Sequence, residues 1–252
     1  MSKVSSAEEI LGLSKPPIAI GFFELPPAGV PRWEGGAVAA GCVFWHKAMS
    51  GQTFYTIPSD HYNCAVGCHT HKIALPAERA HELNDTITFM VKNNYVATSE
   101  VPGIPTLAQS PGAVAYGPVD RADFKPDVVL IAAKPAQAML IYEAAIKAGE
   151  GNALTNVLGR PACAVLPLTT NNGQTSISLG CKGNRTFTGL PDEEVYVAIP
   201  GDKWANVIEK LTETHAANLA MERYYSNRKT EFSAPDTVFS NPDMSLSGGC
   251  DL

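Results

Sequence analysis

Gly41-Cys-Val-Phe-Trp45 begins a stretch that continues through Gly51-Gln-Thr53 to a second cysteine in Asn63-Cys-Ala-Val-Gly67. A later part of the chain repeats this order of a cysteine, Gly-Gln-Thr and a second cysteine. Its segments are Ala162-Cys-Ala-Val-Leu166, Gly173-Gln-Thr175 and Gly180-Cys-Lys-Gly183. Each Gly-Gln-Thr lies at nearly the same offset from its leading cysteine, which is typical of a diverged internal repeat. Gly-Gln-Thr is also an ordinary turn sequence, so a chance match is the alternative.

The hydrophobic pattern outside these segments predicts strands alternating with helices. We expect strands at 18–23, 53–57, 113–116, 127–133, 162–167, 175–179 and 194–200. We expect helices at 1–15 with Ser6 as its cap, 36–50, 76–94, 136–148 and from Asp202 onward. Strand followed by helix favours an α/β (or α+β) fold. The repeat predicts two halves, about 15–125 and 126–225, related by a pseudo-twofold axis within one compact domain of residues 1–225.

The bulk composition limits the class of protein. It is typical of a globular chain, with 45% hydrophobic and 17% charged residues. A net charge of -6 argues against a general nucleic-acid partner. Apolar runs are too short to span a bilayer, and the N-terminus lacks the apolar core of a signal peptide. We therefore expect a cytoplasmic protein with no nucleic-acid or membrane partner.

Six cysteines in such a protein do not suggest a disulfide framework. Thiolates are the ligands of iron–sulfur clusters and of structural zinc. Cys42, Cys64, Cys163 and Cys181 are far apart in sequence, but packing of the two halves would bring them together. The pattern predicts a 4Fe–4S cluster between the halves. One alternative is another metal or thiol site. Another is that the four cysteines are simply buried apolar residues, and the position of Cys163 between two alanines suits this alternative.

Residues next to these cysteines extend the candidate site. Gly67 and Gly183 would allow backbone N–H groups to approach sulfur. Cys68, one helical turn after Cys64, could substitute as a ligand or act as a redox partner. Cys64 to His69 also resembles a stretched form of the c-type haem attachment motif, but that attachment generally follows export, so haem is disfavoured.

Three further polar residues are candidates for binding a ligand. His61 lies in a histidine-rich segment with His69 and His71, and imidazole can complete a metal shell or transfer protons. Arg185 follows Cys181 closely and could bind an anion or pair with Asp192 or Glu193. Lys134 ends the clearest predicted strand, where α/β folds place ligands.

The combined motifs resemble the DUF169 (COG2043, "ArCR") family of uncharacterised prokaryotic proteins. The resemblance rests on Cys42-Val-Phe, Ala48-Met-Ser-Gly51, His61-Tyr-Asn-Cys64 with Gly67, Lys134-Pro-Ala-Gln-Ala-Met139, Gly180-Cys-Lys-Gly-Asn-Arg185 and Glu194-Val-Tyr-Val-Ala-Ile-Pro-Gly201. It covers about residues 15–225 and implies no mechanism. Cys250 lies outside it, in a polar C-terminal tail of residues 226–252.

The sequence thus predicts a cytoplasmic iron–sulfur protein that transfers electrons, with a redox partner protein, or binds a small molecule at the cluster. A metal-free small-molecule-binding protein or thiol enzyme is one alternative. A zinc-stabilised assembly subunit is another. We expect a homo-oligomer in which the tail docks on a neighbouring subunit. Nucleotide-binding, α/β-hydrolase and zinc-protease motifs do not occur.

Overall fold

A computed structural model of the chain describes residues 7–150 and 157–233, with side chains to Lys229. It divides the chain into two units at His215 and Ala216. The first unit contains the sheet and the helices packed on it. The second contains the later part of the C-terminal helix. Among the described residues, no helix is both long and apolar enough to cross a bilayer.

Seven strands in the described ranges form a single mixed sheet. They are β1 Ile18–Phe23, β2 Phe54–Thr56, β3 Ala113–Pro118, β4 Val128–Ala133, β5 Val157–Leu158, β6 Ser176–Ser178 and β7 Val195–Pro200. Their order across the sheet is β2-β3-β1-β4-β7-β6-β5. Only the pairing of β5 with β6 is parallel in this part of the chain, and the others are antiparallel.

Helices connect these strands. The α-helices are α1 Ala7–Leu11, α2 Cys42–Met49, α3 Ala65–Thr70, α4 Glu82–Lys92, α5 Pro135–Ala145, α6 Val165–Asn172, α7 Lys182–Thr188 and α8 Trp204–Ser233. Shorter 3-10 turns occupy Pro58–His61, Ala77–Arg79, Thr98–Gly103 and Ala162–Ala164, and a π-helical turn occupies Ile146–Glu150.

Both faces of the sheet are covered by helices. Successive residues of a strand point to opposite faces, so Leu130 of β4 packs with α2 and α6, whereas Ile131 packs with α1, α5 and the start of α8. Every residue of β4 is therefore buried, which accounts for its unbroken apolar sequence. This arrangement confirms the predicted α/β (or α+β) class.

The predicted strand at 162–167 is wrong. These residues form the 3-10 turn Ala162–Ala164 and the start of α6. Pro167 is the third residue of α6. The N–H groups of the first turn of a helix have no intrahelical acceptor, so a proline is tolerated there. A short apolar run is equally compatible with a buried strand and a buried helix, so the sequence pattern did not distinguish them.

Other boundaries also differ from expectation. The helix predicted at 36–50 begins only at Cys42, and the first helix, predicted to reach residue 15, ends at Leu11. The helix predicted at 76–94 is divided into the turn Ala77–Arg79 and α4. The tail predicted from Ser226 begins as helix, because α8 continues to Ser233. Ser6, predicted to cap the first helix, and the rest of the tail with Cys250 lie outside the described residues.

The two cysteine segments have the same order of elements. Each runs from a helix (α2 or α6) through Gly-Gln-Thr to a strand (β2 or β6) and then to a helix that follows a cysteine (α3 or α7). In the sheet, β1 and β4 pair at the centre, β3 and β7 flank them, and β2 and β6 lie next outward. The repeated order agrees with the predicted halves. A pseudo-twofold axis between them stays a prediction.

Candidate functional site

The four predicted ligand cysteines line one cavity of about 930 Å³. Cys42 is the first residue of α2, and Cys163 lies in the turn that precedes α6. Cys64 and Cys181 immediately precede α3 and α7. Tertiary packing therefore brings together thiols from two segments that are about 100 residues apart, as the sequence analysis predicted.

Cys64 and Cys181 cap their helices in the same way. The Cys64 Sγ accepts a hydrogen bond from the Gly67 backbone N–H at 3.3 Å, and the Cys181 Sγ accepts one from the Asn184 N–H at 3.4 Å. A sulfur here takes the place of the Ser or Asp oxygen that commonly caps a helix. Amide donors at sulfur are also the interactions that tune iron–sulfur clusters.

Burial dominates the protonation of the thiols. It raises the pKa of Cys42 to about 12, and it also raises the pKa of Cys64 and Cys163. The charges of neighbouring thiolates raise each of these three pKa values further. Without a compensating cation Cys42, Cys64 and Cys163 are therefore neutral at pH 7, and ionisation of one opposes ionisation of the next.

A side chain would be crowded at Gly67, three residues after Cys64, but not at Gly183, two residues after Cys181. A Cβ on Gly67 would lie 3.2 Å from the Cys64 Sγ, whereas a Cβ on Gly183 would come no closer than 3.8 Å to the Phe187 ring. Gly41, which the sequence analysis did not single out, also lines the cavity. A Cβ there would lie 3.0 Å from His61 Nδ1, and the Gly41 backbone lowers the Cys64 pKa by hydrogen bonding.

Two of the histidines in the predicted segment are buried and line the cavity. The Nε2 of His61 lies 2.8 Å from Thr56 Oγ1. The Nδ1 of His71 lies 2.8 Å from the Gly67 carbonyl oxygen, and its Nε2 has no hydrogen-bond partner. The sequence did not distinguish His61 from His69 and His71, because adjacency along the chain was the only available signal.

Burial of His61 predicts destabilisation by acid. Its pKa is lowered to about 3 by burial and by the charges of His71 and Arg32, against an ordinary value of 6.5. The unfolded chain binds a proton below pH 6.5 while the folded chain does not, so stability present above pH 6.5 is lost as pH falls. We expect His61 to account for a loss of about 2 kcal/mol between pH 7 and pH 5 in metal-free protein.

Urea unfolding of the wild type and of His61→Gln at both pH values measures this loss. The variant should show a smaller drop than the wild type. His81→Gln, at an exposed position, is the control and should retain the wild-type pH dependence. An equal drop in His61→Gln and wild type would contradict the assignment.

Cys68 does not join the other thiols. Its side chain is buried outside the cavity lining, and its Sγ donates to the His61 carbonyl oxygen at 3.1 Å. The predicted role of Cys68 as a substitute ligand is therefore not supported by its position. The reason is that Cys64 precedes α3, so the two residues do not share one exposed helical face.

Arg185 and Lys134 also lie away from the cavity lining. The Arg185 guanidinium donates to the backbone carbonyls of Leu179, Leu190, Pro191 and Glu194, and its ion pair with exposed Asp192 is long at 3.8 Å. Lys134 is exposed at the start of α5, a helix of the opposite sheet face. Arg185 therefore joins backbone segments, and neither residue is placed to bind a ligand beside the cysteines.

The outer wall of the cavity is largely apolar. Leu83, Ile87 and Met90 of α4 line it, and no residue of α4 is buried. Phe187 of α7 contributes a half-exposed ring. Arg160 pairs with Glu100 at 3.1 Å among the lining residues. The cavity thus combines one buried cysteine, Cys42, and three partly buried ones with an apolar wall that packing of the core leaves uncovered.

The described side chains do not surround a single metal ion. Within residues 7–150 and 157–233, no three His, Cys, Asp or Glu side chains form a group that could hold one ion. A structural zinc needs four donors about 2.0–2.3 Å from one centre. The zinc alternative therefore has no ready ligand set in these parts of the chain.

Comparisons with known proteins place this chain in a family. An uncharacterised protein of Methanocaldococcus jannaschii is 30% identical over 123 residues, which cover 48% of this chain and 52% of that protein. The match thus spans about half the length of the relative. No solved structure matches the chain. The DUF169 family model matches residues 7–210, so the chain belongs to this family, described as uncharacterised ArCR, COG2043.

Proposed function

We propose that this protein binds an iron–sulfur cluster of the 4Fe–4S type through Cys42, Cys64, Cys163 and Cys181. The observation that carries the proposal is the presence of these four thiols on one cavity, although they come from two distant segments. Four cysteine thiolates are the usual ligand set of such a cluster. Gly67 and Gly183 belong to the same proposed site.

A cluster and a single ion require different arrangements of thiols. In a 4Fe–4S cluster each cysteine binds a different iron atom, so the four sulfurs surround a volume and do not converge on one point. In the described residues the four thiols line one cavity, and they do not form part of a group of three or more side chains that could hold one ion. The eight core atoms of a cluster would fill only part of the 930 Å³ cavity.

Charge supplies a second argument. Burial and repulsion by neighbouring thiolates hold Cys42, Cys64 and Cys163 in the neutral form in the absence of metal. Iron replaces their protons and compensates the four thiolate charges, so cluster binding would release protons and stabilise the folded chain. The amides of Gly67 and Asn184 would then donate to cluster-bound sulfur and influence the reduction potential.

The cluster would serve electron transfer to a redox partner protein or would bind a small molecule. The size of the cavity supports the second role. We also propose a cytoplasmic location and a homo-oligomer. Exposed apolar residues on α8, Leu219, Met221 and Tyr225, are compatible with contact between copies. Light scattering of the full chain measures its oligomeric state.

The first experiment is an absorption spectrum of anaerobically purified full chain, with iron, zinc and acid-labile sulfide analysis. We expect a broad band near about 400 nm and about four iron and four sulfide per chain. Zinc alone would contradict the cluster proposal. A colourless, metal-free protein prepared without oxygen would also contradict it.

A metal-free small-molecule-binding protein is the second candidate. It is favoured by the large apolar cavity and by the raised thiol pKa values, which make uncharged thiols compatible with an apolar ligand. The same pKa values disfavour a thiol enzyme, because the thiolate is the nucleophile. The metal analysis distinguishes this candidate from the cluster protein.

A further inference from the structure

Asn184 connects the two cysteine segments through its backbone and its side chain. The residue is 2% exposed, lines the cavity and is the third residue of α7. Its backbone N–H donates to the Cys181 Sγ at 3.4 Å. Burial raises the pKa of Cys42, and a hydrogen bond from the Asn184 side chain opposes this rise. One buried residue therefore donates to a thiol of each segment.

The other partners of the Asn184 amide fix which end faces Cys42. The Asn184 Nδ2 donates to the buried Tyr196 hydroxyl oxygen at 3.2 Å, and that oxygen lies 2.7 Å from His46 Nε2. Burial lowers the pKa of His46 to about 4, so the neutral ring can accept the tyrosine hydrogen at pH 7. The Asn184 Oδ1 faces Gly180, since a Cβ on that glycine would lie 3.4 Å from it. The second N–H of Nδ2 is therefore the group that donates to the Cys42 sulfur.

The equivalent position of the first segment supplies no such side chain. Gly67 lies three residues after Cys64 and donates its backbone N–H to that cysteine, as Asn184 does at its own position. A Cβ at Gly67 would crowd the Cys64 Sγ at 3.2 Å. Of these two positions, only Asn184 carries a side-chain donor, and this donor crosses to the other segment to reach Cys42.

We infer that the side chain of Asn184 positions Cys42 relative to Cys181 and raises the reduction potential of the cluster. The inference deepens the proposed function and rests on it. Reduction adds one electron from a redox partner or a chemical reductant to the cluster, and hence one negative charge, and it breaks no bond. An N–H group that donates to a ligand sulfur stabilises this added charge and favours the reduced cluster.

The reduction potential of Asn184→Leu tests the inference, because leucine has the branched shape of asparagine without its donor. The full chain is purified anaerobically and titrated with dithionite and redox mediators, and the absorbance near about 400 nm reports the state of the cluster. We expect the equilibrium to move about tenfold toward the oxidised cluster, which is a fall of about 59 mV for one electron. The backbone N–H that donates to Cys181 remains in this variant.

Two further variants separate this effect from a general loss of structure. Tyr196→Phe removes the hydroxyl that orients the Asn184 amide, and we expect a shift of about threefold in the same direction. Asn206→Leu removes an exposed amide that donates to the Ala148 carbonyl oxygen outside the cavity lining, and it should keep the wild-type potential. A purely structural role of Asn184 would reduce the amount of cluster but would leave the potential of the remaining cluster unchanged.

Three results would overturn the inference and leave the cluster proposal intact. These are an equilibrium in Asn184→Leu within about twofold of the wild type, a higher potential in that variant, or an equal fall in Asn206→Leu. If Asn184→Leu does not fold or retains no cluster, the potential of Tyr196→Phe decides in the same way. A colourless, metal-free wild type would instead overturn the proposed function and, with it, this inference.

Discussion

The Cys64→Ser variant is expected to lose most of its absorbance near about 400 nm, with at least a severalfold loss of iron and acid-labile sulfide. The Cys64 Sγ lies in the cavity with the other three thiols and accepts from the Gly67 N–H. A serine hydroxyl can retain this helix cap but is a poor ligand for iron in a cluster. The substitution therefore separates the effect on folding from the effect on metal binding. Absorption spectra and metal analysis of anaerobically purified protein measure the result.

Cys68→Ser is the matched control, because it removes a thiol four residues away. Cys68 lies outside the cavity lining and donates to the His61 carbonyl oxygen, a bond that a serine hydroxyl can also make. We expect this variant to keep the wild-type spectrum and metal content. Equal losses in the two variants would indicate a general effect on folding. An unchanged spectrum in Cys64→Ser would remove Cys64 from the ligand set.

The Arg185→Ala variant is expected to lower the free energy of unfolding by about 3 kcal/mol. The guanidinium donates to the carbonyl oxygens of Leu179, Leu190, Pro191 and Glu194, and its side chain is 20% exposed. Hydrogen bonds from a charged donor are stronger than neutral ones. Substitution by alanine removes all of these hydrogen bonds at once. The carbonyl groups then bond to water or remain unpaired.

Urea unfolding of Arg185→Ala and of an exposed control, Arg223→Ala, measures the difference. We expect the control to stay within about 0.5 kcal/mol of the wild type. A stable Arg185→Ala variant would show that the carbonyl contacts contribute little. If that stable variant also lost binding of an anion such as sulfate, the original hypothesis of an anion-binding arginine would be supported instead.

Much of the fold was predictable because local hydrophobic patterns indicate strands and helices. The unbroken apolar run of β4 and the breakers that end β7 indicate those strands without any knowledge of their neighbours. The cysteine segments were recognisable for a similar reason, since a repeated order of residues can be read along the chain. From this repeat we predicted that Cys42, Cys64, Cys163 and Cys181 would meet, and the structure places all four on one cavity.

The details of the site depend on contacts between residues distant in sequence. The apolar run around Cys163 suits a strand or a helix equally, and packing of α6 against the sheet decides for the helix. Arg185 bonds to carbonyls whose positions are set by the turns around it. No local pattern distinguishes such an arginine from one that binds an anion.

The sequence by itself determined the mixed α and β class and most of the strands, because periodicity is a property of the chain alone. It also predicted the set of four cysteines from their repeated order. Only the tertiary structure decided that Cys68 points away from the cavity while His71 lines it. Burial and the pairing of each polar atom arise when distant segments pack together. The unpaired Nε2 of His71 is therefore visible only in the folded protein.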